Sequence, residues 1–201
     1  MAAGTKGVAR AEREAQIVEV ACRVFGEHGY AATSVADVAA AAGISKPLIY
    51  QYFGSKDGLY VAALRAAAAV LVGEIERTAA LGAVGIDRAV VTLDGMFRVL
   101  ADRPWLWRLV FDATAPREGE VAAVLAEHEQ RLVVLGSDGV GDLLALVGNT
   151  DPDDLSALRA VWENTFRTLV GWWLDHPDVT PEAMSARCQR LFAVVLSGSV
   201  P

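Results

Sequence analysis

TSVADVAAAAGISKPLIYQYFGSKDGL, residues 33–59, is the stretch from which the fold follows. Ser34 stands three positions before Asp37, so each side chain can satisfy a free backbone N–H, and a helix is predicted to start at Ser34. Val35, Val38, Ala39 and Ala42 then recur at helical spacing as one apolar stripe, until Gly43, which tolerates positive φ, ends it. Two residues later Ser45 offers a second N-cap. Pro47 fits a first helical turn, where its missing N–H is harmless, and Ile49 and Phe53 supply an inward face. Two short helices, about 34–42 and 45–53, joined by a tight turn make a helix-turn-helix, whose second helix can enter a DNA major groove.

Working outward, Ile17, Val20, Ala21, Val24 and Phe25 place a helix over residues 10–29, with Gly29 ending it. The two short helices cannot form a core alone, so a three-helix unit is expected. Its floor is a fourth helix capped by Ser55 and carrying Leu59, Leu64, Ala67, Leu71 and Ile75. Beyond Gly82 no strand alternation appears. Helices are predicted at Ile86–Ala101, Pro104–Ala113, Glu118–Val147 and Asp153–Asp175, with a last one from Thr180 or Pro181 to about Leu196. Gly136, Gly139 and Gly141 lie inside the third of these, where glycine can break or kink a helix. The fold class is therefore all-α: an N-terminal helix-turn-helix domain over residues 1–60 and a C-terminal helical bundle over 61–201, about nine helices in all.

With 201 residues, 53% of them hydrophobic, the chain can bury a sizeable core. Met1 to Arg10 lack the apolar segment of a signal peptide, and the apolar run Ala66–Gly73 is far short of the roughly 18 residues that span a bilayer. A soluble, cytoplasmic protein with no membrane partner is expected. Cys22 and Cys188 are read as reduced residues rather than a disulfide. The net charge is −7, but residues 1–60 hold six Lys and Arg against six Asp and Glu, and all three lysines, Lys6, Lys46 and Lys56, lie there. A neutral end with clustered cations can meet phosphates while an acidic body is repelled from them.

Phe25, Gly29, Tyr30, Thr33, Ser34, Val38, Ala39, Ala42-Gly43-Ile44-Ser45, Ile49-Tyr50, Tyr52-Phe53, Ser55-Lys56 and Leu59 together resemble the DNA-binding domain of the TetR family of bacterial transcriptional regulators. The resemblance covers residues 11 to about 60; the remainder resembles the family in architecture, as a helical effector-binding and dimerisation region. Pro47-Leu48 and Gly58 depart from its commonest pattern. The residue types suggest that Lys46 donates to guanine, Gln51 pairs with adenine or reaches a phosphate, and Pro47 and Leu48 pack on thymine methyls, with Ser45 at the head of the same helix. The resemblance implies that Thr33, Ser34, Tyr50, Tyr52 and Lys56 hold the flanking phosphates. For Arg10 and Arg13 a solvated helix face is favoured over a DNA-contacting arm.

One such unit makes few contacts, whereas two, set about one helical turn (~34 Å) apart, read a palindrome, so a homodimer on double-stranded DNA is expected. Leu158, Trp162, Phe166, Leu169 and Trp173, followed by Cys188, Leu191 and Val195, form broad faces on the last two helices. These are read either as intramolecular core or as a two-fold interface, and the palindrome argument favours the interface. An effector would act by favouring one spacing of the two units. Met96, Phe97, Leu100, Trp105, Trp107 and Phe111, with Asp112, Glu127 and His128 as polar groups, are the candidate pocket for a hydrophobic small molecule. The expectation is a ligand-responsive repressor; a ligand-independent regulator or activator of the same fold is the alternative, and a helical enzyme a distant third. His128-Glu129 begins an HExxH zinc motif but Leu132 stands where the second His belongs, and Gly139-Val140-Gly141 lacks a preceding strand and a third glycine. No catalytic residue, metal or cofactor is expected.

Overall fold

The computed structural model describes residues 10–197, the side chains of 195–197 excepted. Nine helices and no strand occur among the described residues: α1 (Arg10–Ala32), α2 (Val35–Ala41), α3 (Lys46–Phe53), α4 (Lys56–Ala79), α5 (Gly85–Ala101), α6 (Trp105–Val110), α7 (Gly119–Ala145), α8 (Pro152–Leu174) and α9 (Pro181–Ser197). The chain forms two compact units. The first contains residues up to Val70 together with Trp105–Glu127, and the second contains Leu71–Pro104 together with residues from His128 onward.

In the first unit the stripe on α1 closes over α2, α3 and α4. Ile17, Ala21, Val24 and Phe25 meet Val35, Val38, Ala39, Ile49, Leu59, Tyr60 and Leu64 in one core. Phe25 and Tyr60 pack edge to face with centroids 5.0 Å apart. The helix expected to stop at Gly29 continues to Ala32, but Gly29 itself is non-helical at φ 79° and ψ 163°, so the expected stop is a break followed by a further turn. The segment Trp105–Glu127 joins this unit because α6 lies on α1. Gly26 makes that approach possible: a Cβ there would lie 2.2 Å from the carbonyl oxygen of Trp105.

In the second unit α5 supplies Leu93, Met96, Phe97 and Leu100, all fully buried, and packs on α9 and α8. Trp173 of α8 meets Phe97 edge-on at 5.1 Å and donates its indole N–H to the Val179 carbonyl at 2.7 Å. Thr78 and Thr92 share a buried hydroxyl contact of 3.2 Å. The helix expected over 118–147 is present as α7, and it runs unbroken through Gly136, Gly139 and Gly141. Gly139 leaves room for the Arg88 guanidinium, which pairs with Asp142 one turn further on at 3.0 Å.

Helix α4 corrects one expectation. Its 24 residues include an 18-residue stretch of mean hydropathy 1.6, long and apolar enough to cross a membrane by length and composition. Half of that stretch is buried inside the protein, as in a core helix. Both cysteines are buried free thiols. Burial pushes the Cys22 thiol up to about 12, and it donates to the Ala63 carbonyl at 3.3 Å.

Candidate nucleic-acid interface

The two short helices are positioned by local bonds. The Ser34 hydroxyl accepts from the Asp37 amide at 3.2 Å while the Asp37 carboxylate accepts from the Ser34 amide at 2.8 Å, the reciprocal cap that the spacing predicts. The hydrogen bonds from the Ser34 hydroxyl and amide hold the Asp37 carboxyl below its usual range. Helix α2 ends at Ala42, and Gly43 at φ 64° turns the chain. Ser45 occupies the N-cap position of α3, yet its hydroxyl makes no capping bond; Pro47 sits in the first turn. The Ser55 hydroxyl caps α4 by accepting from the Gly58 amide at 2.9 Å.

The geometry of α3 follows from which face is buried. Ile49 is fully enclosed, so Lys46, Pro47, Tyr50 and Gln51 emerge on the opposite side, with Leu48 and Tyr52 half-buried at its edges. Phe53, expected inward, is only half-buried and lies against Tyr52 with centroids 6.0 Å apart. Two cations lie over tyrosines of this helix, and a third lies over Tyr30 of α1. The Lys46 ammonium stands 5.7 Å from the Tyr50 ring centroid, and the Arg10 guanidinium stands 5.1 Å from that of Tyr52. The Lys56 ammonium lies 4.0 Å from the centre of the Tyr30 ring, whose hydroxyl donates to Asp57 at 2.5 Å. Such contacts orient a cation without neutralising it, so its charge remains available to a phosphate.

The expected site residues divide accordingly. Lys46, Pro47, Leu48, Tyr50, Gln51, Tyr52, Ser45 and Lys56 share the first unit and are exposed or half-buried. Thr33 departs from expectation: it is 3% exposed and its Oγ1 is buried, so its hydroxyl does not reach a phosphate in this conformation. Ser34 is exposed, but its hydroxyl also donates to Asp37 at 2.7 Å and serves the cap. Arg10 is exposed, as a solvated face implies, and its guanidinium also lies over the Tyr52 ring. Its position 42 residues before Tyr52 in sequence left no local signal of that contact.

The candidate pocket residues are placed within their own units. Met96, Phe97 and Leu100 are core of the second, which also contains His128; Trp105, Trp107, Phe111 and Asp112 belong to the first, where Trp107 and Phe111 pack at 4.3 Å. Asp112 is not an open polar group: Tyr30, Tyr60 and Thr114 all donate to it. Among the expected interface residues, Trp173 and Cys188 are buried in the core of their own unit, at 6% and 1% exposure. Trp162 packs on Phe192 at 5.9 Å; Leu158, Phe166 and Leu169 are half-buried, Leu191 is 46% exposed, and the side chain of Val195 lies outside the described residues. The outward side of α8 is turned by about one residue from the expected one, to Ala160, Val161, Asn164, Thr165, Thr168 and Leu169, which line a shallow groove.

The chain is similar in sequence and in fold to known proteins. Residues 17–63 match the family described as bacterial regulatory proteins, tetR family. The chain is 32% identical over 114 residues to the HTH-type transcriptional activator FasR of Mycolicibacterium smegmatis, a match covering 57% of this chain and 52% of that one. It is 33% identical over 133 residues to the HTH-type transcriptional regulator BetI of Stenotrophomonas maltophilia, covering 63% and 66%. The chain thus spans about half to two thirds of the length of these curated relatives. Among solved structures, the transcriptional regulator FadR of Bacillus subtilis, in complex with stearoyl-CoA, superposes with a TM-score of 0.72 at 18% identity, covering 92% of this chain and 98% of that one. A TetR-like regulator from Rhodococcus sp. RHA1 gives 0.67 at 22% identity over 96% and 100%.

Proposed function

Because this chain belongs to the tetR family of bacterial regulatory proteins, we propose that it is a DNA-binding transcriptional regulator: a repressor that holds a palindromic operator as a dimer and is released by a hydrophobic small molecule. The observation that supports this most directly is the exposed side of α3, where Lys46, Pro47, Tyr50 and Gln51 stand opposite the buried Ile49. A helix anchored by one core residue and presenting donors and small apolar groups suits a major groove. Lys46 and Gln51 read base edges; Lys56 and the tyrosines hold phosphates and set the register.

The dimer is assigned to α8 and α9. Their outward side carries Val161 at 62% exposure, Trp172 at 38%, Leu191 at 46% and Val194 at 68%. Exposed apolar side chains on these two helices suit an association surface, and a two-fold pairing of helical hairpins makes a four-helix bundle. The effector is assigned to the helical body, whose buried faces are apolar. Long-chain acyl-CoA is a reasonable first probe, since a solved protein of the same fold holds stearoyl-CoA.

Gel shift on DNA upstream of the gene tests the reading. A sequence-selective, salt-sensitive complex is expected. Lys56→Ala should weaken binding to every sequence and lower the salt slope by roughly one, whereas Lys46→Ala should relax base preference. Equal, sequence-blind losses from both variants would remove the division of roles, and absence of any selective complex would remove the regulator reading. Thermal shift in the presence of acyl-CoA and other apolar metabolites then tests the effector: a true one both stabilises the protein and releases DNA.

A further inference from the structure

We propose that Asp112, acting through Tyr30, is a positioning residue for Lys56, so that the phosphate contact of the DNA-binding head depends on how the segment Trp105–Thr114 is seated on α1. The inference rests on the DNA-binding reading above and adds to it a residue-level route of control. Gly29 breaks α1 at φ 79° and ψ 163°, leaving the next two amides to find partners outside their own helix. The Asp112 carboxylate takes the Tyr30 amide at 2.6 Å, and the Thr114 hydroxyl takes the Ala31 amide at 3.1 Å. The loop after α6 therefore caps a helix restart that lies 82 residues away in sequence.

The fit is close on both sides. A Cβ on Gly26 would meet the Trp105 carbonyl oxygen at 2.2 Å, and one on Gly29 would meet Thr114 Oγ1 at 2.9 Å, so two glycines one turn apart on α1 form the seat. The carboxylate is fully used: Tyr60 donates to it at 3.1 Å, and the Thr114 amide and hydroxyl donate at 2.8 and 2.7 Å. From this anchor the path runs through one ring. Tyr30 is held edge-on to Tyr60 at 5.0 Å and by its hydroxyl to Asp57, and the Lys56 ammonium rests 4.0 Å from its centre. Loss of the Asp112 bonds removes the restraint on the Tyr30 backbone and leaves the ring that orients Lys56 held by Tyr60 and Asp57 alone.

The sequence carries three lysines, which makes a direct readout possible. With ¹³C-lysine labelling, the ε-methylene protons of Lys56 are expected upfield of those of Lys46, from the Tyr30 ring current. Asp112→Ala should return them toward the ordinary position while circular dichroism stays unchanged. In DNA binding, Asp112→Ala should lower the salt slope by about one, as Lys56→Ala does, and Lys56→Ala added to it should cause no further loss, because the two act as a unit. Asp112→Asn keeps the shape and one acceptor; it should show smaller changes of the same sign, and it serves if the alanine variant does not fold. An unmoved Lys56 resonance in these variants, or losses from Asp112→Ala and Lys56→Ala that multiply, would overturn the proposal. If the wild-type protein forms no salt-sensitive DNA complex, the DNA reading fails by itself, and the lysine resonance still decides whether the clasp exists.

Discussion

At the scale of single residues, Tyr30 concentrates several roles in one side chain. Its pKa rises from 10.0 to about 12, first because burial disfavours the phenolate, then because the hydroxyl donates to Asp57 and feels its charge. A raised value means that the fold stabilises the protonated form. Its contribution is therefore intact below pH 10 and lost as pH climbs through about 12. Tyr30→Phe keeps the ring but removes the titrating proton, so the urea midpoint of the wild type should fall more steeply between pH 10 and 12 than that of the variant. Parallel curves would show that Tyr30 does not titrate where this environment places it. Cys22, also raised by burial, titrates in both proteins and cancels in the comparison, whereas Tyr60 is raised by burial and by Asp112 to beyond this window. Asp37 has the opposite sign: its carboxyl is depressed by the Ser34 bonds, so the cap of α2 holds above the ordinary carboxylate range and is lost as pH falls below it.

At the scale of elements, Gly58 separates propensity from packing. It lies in the first turn of α4, where alanine would normally strengthen a helix by roughly 1 kcal/mol. A Cβ there would stand 2.1 Å from the Phe53 carbonyl oxygen, at the end of α3. That atom is backbone and cannot swing aside, so α3 and α4 must part. We expect Gly58→Ala to destabilise by about 1–3 kcal/mol, the range for forcing extra volume into a packed site; a higher urea midpoint for the variant would show that the junction yields freely. The same contrast explains what was legible in the sequence. Helix starts and stops rest on local signals, such as Ser34 with Asp37 or Ser55 with Gly58, and these operate as the spacing implies. The direction of α8 was less legible, because Leu169, Val170, Trp172 and Trp173 are consecutive or nearly so and leave no single apolar stripe. Only the neighbours decide: Phe97 and the Val179 carbonyl hold Trp173 inside. The α7 glycines carry no local signal of their use, since Arg88 of α5, distant in sequence, occupies the space that Gly139 leaves. The Asp112 clasp was illegible because nothing local ties it to Tyr30.

At the scale of the whole molecule, the dimer that operator reading requires can be separated from the fold that carries it. The sequence offers Trp162 to Trp173 as one broad face, but the structure divides it by exposure. Trp173 is core, and replacing it with alanine should cost about 3–5 kcal/mol, lowering the stability of each protomer whatever its partner. Val161 and Leu191, at 62% and 46% exposure, add little to the core of their own unit. Charges placed there, as Val161→Glu with Leu191→Glu, are tolerated by a protomer in water but must be desolvated in a two-fold interface, where each meets its own like charge or an apolar face. Sedimentation of the double variant should therefore show monomers of unchanged helicity, and its operator complex should weaken far more than its binding to a single half-site. Halving the contacts removes the second recognition helix without altering the first. A double variant that still sediments as a dimer would move the interface off this side of α8 and α9. A monomer that binds the full operator as well as the wild type would show instead that one head suffices, and the palindrome would no longer be required.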